Sequence, residues 1–274
     1  MSNPIVSVIV PTKNSARTLE SCLLSIKNQT YKHIEIIVVD NFSTDNTPKI
    51  AKKYTKKFYS RGPERSPQRN FGVGESTGEY VVIIDSDMNL SENVIKDCVD
   101  AFDSNNQIAG VVIPEESFGE GFWAQCKKLE RSFYVGVPYM EAARFFKKKD
   151  YIQLGGYNEK LVSGEDWDLS QRIEKLGSLA RSDAYIYHDE GKISLSITVR
   201  KKYYYAKKFN KYKSSSSSQN TVSRQTSIIG RYGLFFSQPK KLLANPILGA
   251  CMLFMKTCEF GFGGAGYIVS RLQK

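Results

Sequence analysis

The most constraining stretch of this 274-residue chain is an unbroken β-branched run, Val81-Val82-Ile83-Ile84, followed at once by Asp85-Ser86-Asp87. Four such residues in a row, between Gly78 and an acidic turn, suit a strand buried on both faces. A strand of that kind cannot keep two carboxylates inside, so Asp85 and Asp87 must lie beyond its carboxyl end. In open α/β sheets that edge is where ligands bind. Two acids one residue apart hold either a hard divalent cation, which takes oxygen ligands and bridges to phosphates, or simply a turn that caps the helix near Ser91.

The flanking sequence repeats the theme. Ile5 to Val10 reads as a strand ending at Pro11-Thr12-Lys13-Asn14, with a helix from about Ala16 to Asn28. Ile34 to Val39 reads as a second strand stopping at Asp40, with a helix through about Lys57. Strand and helix alternating at this spacing predict parallel strands with right-handed crossovers, a nucleotide-binding layout without a Gly-rich phosphate loop. Asp40 then ends its strand at the same edge as Asp85, placed to accept from a base or ribose or else from local backbone. Arg69 and Asn70 fall early in a helix that ends at Gly78, where Arg69 either reaches a pyrophosphate or is solvated.

Further along, the pattern predicts a helix over Glu92 to Phe102, a strand over Ile108 to Ile113 and helical spacing over Phe118 to Val135. Glu141 to Phe146 reads as another strand. A glycine turn, Leu154-Gly155-Gly156-Tyr157, leads to a helix with Glu165, Asp166 and Asp168 in its first turn. Acids there complement the helix dipole, but three around Trp167 exceed what capping requires. A carboxylate at such a start can project into a cleft as a general base, with Asp166 the first choice and Glu165 the second. Ala184 to Tyr187 reads as the last strand and delivers His188, either a metal ligand beside the acid pair or a surface residue in a polar turn.

Charge divides the chain. The formal net charge is +11, and from Ile193 onward there are fourteen Lys or Arg against one acid, Glu259. The first 192 residues hold 25 basic and 27 acidic residues, so the tail carries all the excess. An anionic partner is implied. A basic helix is predicted over Ile193 to Tyr212, with Phe209 on its apolar side and Ser214 to Ser218 as a polar hinge. Between Leu242 and Ser270 only Lys256 and Glu259 are charged. Pro246, those two charges and the Gly261 to Gly266 cluster are expected to break this stretch into two shorter apolar pieces, forming an interfacial helix pair on anionic lipid. Nucleic acid would explain the charge but not the apolar end. Five cysteines without a CxxC pair or zinc spacing read as reduced thiols of an intracellular protein, and the N-terminal apolar run reads as a strand rather than a secretory signal.

Taken together, VSVIVPTKN, EIIVVDNFSTDNT, QRNFGVGESTGEYVVIIDSD, GGYNEKLVSGEDWDL and His188 resemble an inverting family 2 glycosyltransferase, over roughly residues 4 to 192. The resemblance implies a GT-A fold: a mainly parallel α/β sheet flanked by helices, a catalytic domain over residues 1–192 and a basic helical appendage over 193–274. By that resemblance Pro11, Thr12, Asn14, Asp40 and Ser86 hold the nucleotide sugar, a UDP- or GDP-sugar, with Arg69 near its phosphates. It further implies Mg²⁺ or Mn²⁺ on Asp85 and Asp87, His188 as an extra metal or phosphate ligand, and Asp166 as the catalytic base. A lipid-linked or glycan acceptor at the cytoplasmic face of the membrane is expected from the tail. The QxxRW motif of processive members is absent, since Gln171-Arg172-Ile173 does not match it. Two other readings stay open: a nucleotidyltransferase on a similar sheet, and a non-catalytic membrane or nucleic-acid binding module.

Overall fold

The computed structural model describes residues 3–208 and 219–272. In chain order the strands are β1 Val6–Thr12, β2 Ile34–Asp40, β3 Phe58–Ser60, β4 Tyr80–Ile83, β5 Met88–Leu90, β6 Ile108–Val112, β7 Glu115–Glu120, β8 Ala143–Lys147, β9 Ser178–Arg181 and β10 Ile186–Lys192. The helices are α1 Leu19–Lys27, α2 Thr47–Tyr54, α3 Arg65–Gly74, α4 Val94–Ser104, α5 Phe122–Ser132, α6 Lys148–Gln153, α7 Glu165–Ile173, α8 Leu195–Lys208, α9 Gln219–Thr226, α10 Ile228–Phe236, α11 Pro239–Leu243 and α12 Pro246–Leu272.

Two compact units result. The first comprises residues 1–115, 142–159 and 165–189, and the second 116–141, 160–164 and 190–274. The second thus joins α5 to the basic tail, a grouping that the charge pattern did not announce.

The first unit is built on a seven-stranded sheet of order β3-β2-β1-β4-β8-β6-β9. All pairings are parallel except those of β8, which runs antiparallel to both β4 and β6. Strand alternation divides the core in two. Val6, Val8 and Val10 join Leu19, Leu23 and Ile26 of α1 on one face, while Ile9 joins Val81, Ile83 and Leu169 on the other. Every residue of β1 and β4 is buried and neither strand carries an acid, so Asp85 comes only past the end of β4.

Several expected boundaries move. α1 starts at Leu19 rather than Ala16, and residues 118–120 belong to β7 rather than to a helix. The last strand lies at Ile186–Lys192, displaced from Ala184 to Tyr187, and β3, β5 and β9 were not anticipated. β9 is Ser-Leu-Ala-Arg at the sheet edge, with no alternation to announce it.

One carboxylate in this unit is strongly held. Glu35 on β2 accepts from Ser7 Oγ (2.6 Å), Thr77 N–H (2.9 Å) and Thr77 Oγ1 (2.8 Å), and pairs with Lys57 Nζ (2.5 Å). Burial works against the charge, but the hydrogen bonds from Lys57, Ser7 and Thr77 outweigh it and bring the pKa from 4.5 down to about 2. Glu35 thus adds stability above pH 4.5 that disappears as the pH falls toward 2. Glu35→Gln is expected to lower stability at neutral pH by about 1 kcal/mol, or roughly 2–4 °C. Its melting curve should converge with that of the wild type in acid, as thermal denaturation across pH will show.

The second unit is helical. Cys126, Phe133 and Tyr134 pack with Phe235, Leu242, Met252 and Met255. The apolar tail is not broken into two pieces: α12 runs for 27 residues through the glycine cluster, with Pro246 opening it. Gly266 is required for close approach, since a Cβ there would lie 2.4 Å from the Tyr203 carbonyl oxygen of α8. The two charges expected to interrupt the stretch are instead buried, Lys256 at 4% and Glu259 at 2% exposure. Lys127 Nζ reaches Glu130 (2.7 Å) and Glu259 (2.8 Å), and Lys256 Nζ reaches Glu130 (2.6 Å) and Glu259 (2.8 Å). Each helix contributes one charge of each sign, so the interior square is neutral. Ile247, Phe254, Ile268 and Leu272 of α12 remain exposed. Among the described residues no helix is long and apolar enough to cross a membrane. The predicted helix beyond Lys208, including Phe209, and the Ser214 to Ser218 hinge lie outside the described residues.

Candidate active site

β4 ends at Ile83, and Ile84 N–H still bonds the Ile9 carbonyl (3.0 Å), so Asp85 is the first residue free of the sheet. The turn is closed by Met88 N–H on the Asp85 carbonyl (3.0 Å), and Ser86 Oγ donates to Ser15 Oγ (2.8 Å). The chain then enters β5, which pairs antiparallel with β10 so that Met88 faces His188. This register brings the imidazole to the acid pair: His188 Nε2 lies 3.3 Å from Asp87 Oδ2, and Asp189 N–H donates to the Asp87 carbonyl (2.7 Å). Asp85, Ser86, Asp87 and His188 line a cleft of about 260 Å³ whose other walls come from Pro11, Thr12, Lys13 and Ser15 of the β1 end and from Arg65 and Gln68 of α3.

The neighbouring strand end is organised from within. Thr12 pairs with Asp40 in the β1–β2 register, and its Oγ1 donates to Asp40 Oδ1 (2.8 Å). Ser43 donates to the same carboxylate from N–H (2.7 Å) and from Oγ (2.5 Å). Asp40 is buried, and neither it nor Asn14 lines the cleft. Asn14, at φ +48°, accepts from Thr44 N–H through Oδ1 (2.9 Å) and fastens the two loops together. Gln68 Nε2 donates to the Thr12 and Val39 carbonyls (2.9 and 2.6 Å), which locks α3 onto both strand ends.

Arg69 differs most from expectation. It is neither solvated nor turned to an open phosphate site, but fully buried. One terminal nitrogen donates to Asp85 Oδ1 (2.7 Å), and the other donates to Asp166 Oδ1 (3.0 Å) and lies 3.5 Å from Glu165 Oε1. Arg144 continues the chain of charges, 3.7 Å from Asp85 Oδ2 and 2.7 Å from Glu115 Oε1, while Glu115 Oε2 lies 3.8 Å from His188 Nδ1. Burial alone would favour the protonated Asp85, but Arg69, Arg144 and Arg65 outweigh it and hold its pKa well below the usual carboxylate range.

The two acids opening α7 separate clearly. Glu165 is 3% exposed and pairs with Arg65 (3.2 Å); burial, reinforced by the Asp166 charge, pushes its pKa up despite both arginines. The Asp166 side chain keeps 29% of its surface and faces solvent while bonded to Arg69. Asp166 is therefore the carboxylate an incoming molecule can reach.

The glycine turn before α7 is splinted to it. Arg172 donates to the Leu154 and Gly156 carbonyls (2.8 and 2.7 Å) and to Asp168 (2.7 Å). Asn70 binds the turn from the other side, accepting Tyr157 N–H (2.8 Å) and donating to the Tyr157 carbonyl (2.9 Å). Gly156 sits at φ +65°, and a Cβ there would lie 2.5 Å from Asn70 Oδ1, so no other residue fits without displacing that bond.

Among the described residues no group of three or more His, Cys, Asp or Glu is arranged to hold a metal ion. Asp85, Asp87 and His188 do not form a preassembled three-ligand set, because the Asp85 carboxylate is turned onto arginine. Sequence reading also missed Lys13, Arg65 and Gln68 in the cleft wall and Arg144 behind it. Arg65 and Gln68 share a helix with Arg69 and were recoverable from its spacing; Arg144, within an apolar strand, gave no signal beyond being a buried charge in need of partners.

Comparison with known proteins places the chain in a family. The model of the family described as glycosyl transferase family 2 matches residues 7–158. Glycosyltransferase GlyG of Streptococcus pneumoniae is 35% identical over 99 residues, 34% of this chain and 33% of that protein, so the chain spans about a third of GlyG. The GalNAc(5)-diNAcBac-PP-undecaprenol beta-1,3-glucosyltransferase of Campylobacter jejuni is 25% identical over 275 residues, covering 96% of this chain and 82% of the relative. The mannosyltransferase PcManGT from Pyrobaculum calidifontis, solved with GDP-Man and Mn²⁺, shares the fold with a TM-score of 0.63 at 18% identity, covering all of this chain and 87% of that one. With the family model spanning more than half its length, from the first strand through the glycine turn, the chain belongs to glycosyl transferase family 2.

Proposed function

We propose that the chain is an inverting glycosyltransferase that moves a sugar from a UDP- or GDP-sugar to a hydroxyl or phosphate acceptor, lipid-linked, at an anionic membrane surface such as the cytoplasmic face. The observation that carries this reading is Asp166: a solvent-reachable carboxylate joined through a single residue to the acid pair at the sheet edge. In that arrangement Asp166 takes the acceptor's proton as its oxygen attacks the anomeric carbon. The bond from that carbon to the diphosphate breaks on the opposite side, and the nucleoside diphosphate leaves with the electron pair. Pro11, Thr12, Lys13 and Ser86 bound the donor cleft, with Lys13 and Arg65 as exposed cations in its wall. Asp40 and Asn14 act by shaping the loops that border it.

The donor set suits a divalent ion completed by substrate. Asp87, 43% exposed, and His188 provide one carboxylate and one imidazole facing the cleft, and Mg²⁺ or Mn²⁺ commonly binds through one or two protein ligands plus substrate phosphates. Such an ion would neutralise charge on the departing diphosphate. Support for the membrane acceptor comes from the basic tail, the exposed apolar residues of α12, and the undecaprenol-linked substrate named for the Campylobacter jejuni relative.

A single assay tests the reading. The chain is incubated with UDP- and GDP-sugars and a polyprenyl-diphosphate-linked sugar in anionic vesicles, and the released nucleotide is identified. Acceptor-dependent release of a nucleoside diphosphate is expected, and Asp87→Asn should lower it by about 10²-fold or more. Release of pyrophosphate from a nucleoside triphosphate would instead mark a nucleotidyltransferase, and wild-type turnover in Asp87→Asn would remove the cleft from the mechanism.

A further inference from the structure

We propose that Arg69 is a positioning residue for the transfer step: its guanidinium fixes the donor-side carboxylate Asp85 and the acceptor-side carboxylate Asp166 relative to each other. The proposal rests on the transferase reading and deepens it by naming what aligns the two halves of the reaction.

Three features separate this role from a phosphate contact or a generic buried ion pair. Arg69 is 0% exposed, so its charge is spent on carboxylates already in place. Its two terminal nitrogens serve different partners, Asp85 at 2.7 Å and Asp166 at 3.0 Å, and the guanidinium plane transmits the position of one to the other. The fork is itself immobilised: it lies 4.8 Å from the centroid of the buried Tyr157 ring, and Tyr157 is held at both backbone groups by Asn70, the next residue of α3. Consecutive residues on one helix thus hold the donor-side acid, the base and the glycine turn that precedes it.

Lysine is the discriminating substitution, because it keeps the charge but offers a single ammonium that cannot set the geometry of two carboxylates. A misplacement of about 1 Å can cost about 10²-fold in rate. Arg69→Lys is therefore expected to lower kcat by about 10²-fold while donor KM changes less than about threefold. In the double variant R69K/D166N, kcat should stay within about threefold of D166N alone, because a positioning residue has little left to contribute once the base is gone. A large rise in donor KM with unchanged kcat would overturn the proposal in favour of a phosphate contact, and so would losses that multiply in the double variant.

Should R69K fail to fold, Tyr157→Leu removes the platform and leaves every charge in place. It should lower kcat by about tenfold at unchanged donor KM. A folded Y157L protein with wild-type kcat would count against the clamp. Absence of acceptor-dependent nucleoside diphosphate release in the wild type sinks the transferase reading and this proposal together, whereas wild-type turnover with equal kcat in R69K overturns the proposal alone.

Discussion

Asp166→Asn is expected to lower kcat by about 10³-fold with a hydroxyl acceptor, at nearly unchanged thermal stability and donor KM. Asparagine keeps an oxygen for the Arg69 bond, so the substitution removes basicity and little else. Glu165→Gln should cost far less, about tenfold, because Glu165 is buried against Arg65 and Arg69 and meets no solvent-borne substrate. The contrast between these adjacent acids, read from initial rates with a saturating donor, assigns the base without a bound ligand. It also reads out the acceptor: a phosphate is already ionised and needs no base, so with such an acceptor Asp166→Asn would lose little rate.

The second large effect concerns stability. Glu259→Ala is expected to destabilise the second unit by about 3–5 kcal/mol, because it leaves Lys127 and Lys256 in the interior sharing one carboxylate. Burial and the neighbouring Glu130 charge both disfavour ionised Glu259, yet Lys127, Lys202 and Lys256 outweigh them and bring its pKa down to about 2. Removing charges in pairs should be milder: K256M/E259L, which takes one of each sign, is expected to lose less than E259A alone. Chemical denaturation of the three proteins, followed at a probe in α12, checks the order.

What the sequence revealed depended on how local the cause was. The Val81 to Ile84 run forces its own burial and expels Asp85, so the sheet edge and the acid pair were legible from adjacent residues. His188 was singled out, but its approach to Asp87 depends on the β5–β10 pairing across about a hundred residues, which no local pattern encodes. Arg69 was expected either to reach a pyrophosphate or to be solvated, whereas it is buried on three carboxylates, and these come from two distant segments. The tail failed for a related reason. Lys256 and Glu259 look like interruptions in an apolar stretch until Lys127 and Glu130 of α5 neutralise them, after which nothing obliges the helix to stop.

The splint around the glycine turn has a consequence for how such a chain can diversify. Arg172 and Asn70 tie down residues 154–157, and Asn70 also donates to Glu159 Oε1 (3.0 Å), so the helix that carries Arg69 holds the chain on both sides of Asn158. Gly156, Asn70 and Arg172 therefore constrain one another, because a side chain at Gly156 would displace the Asn70 bond. A lineage, or a library, that varies one of the three has to vary its partners with it.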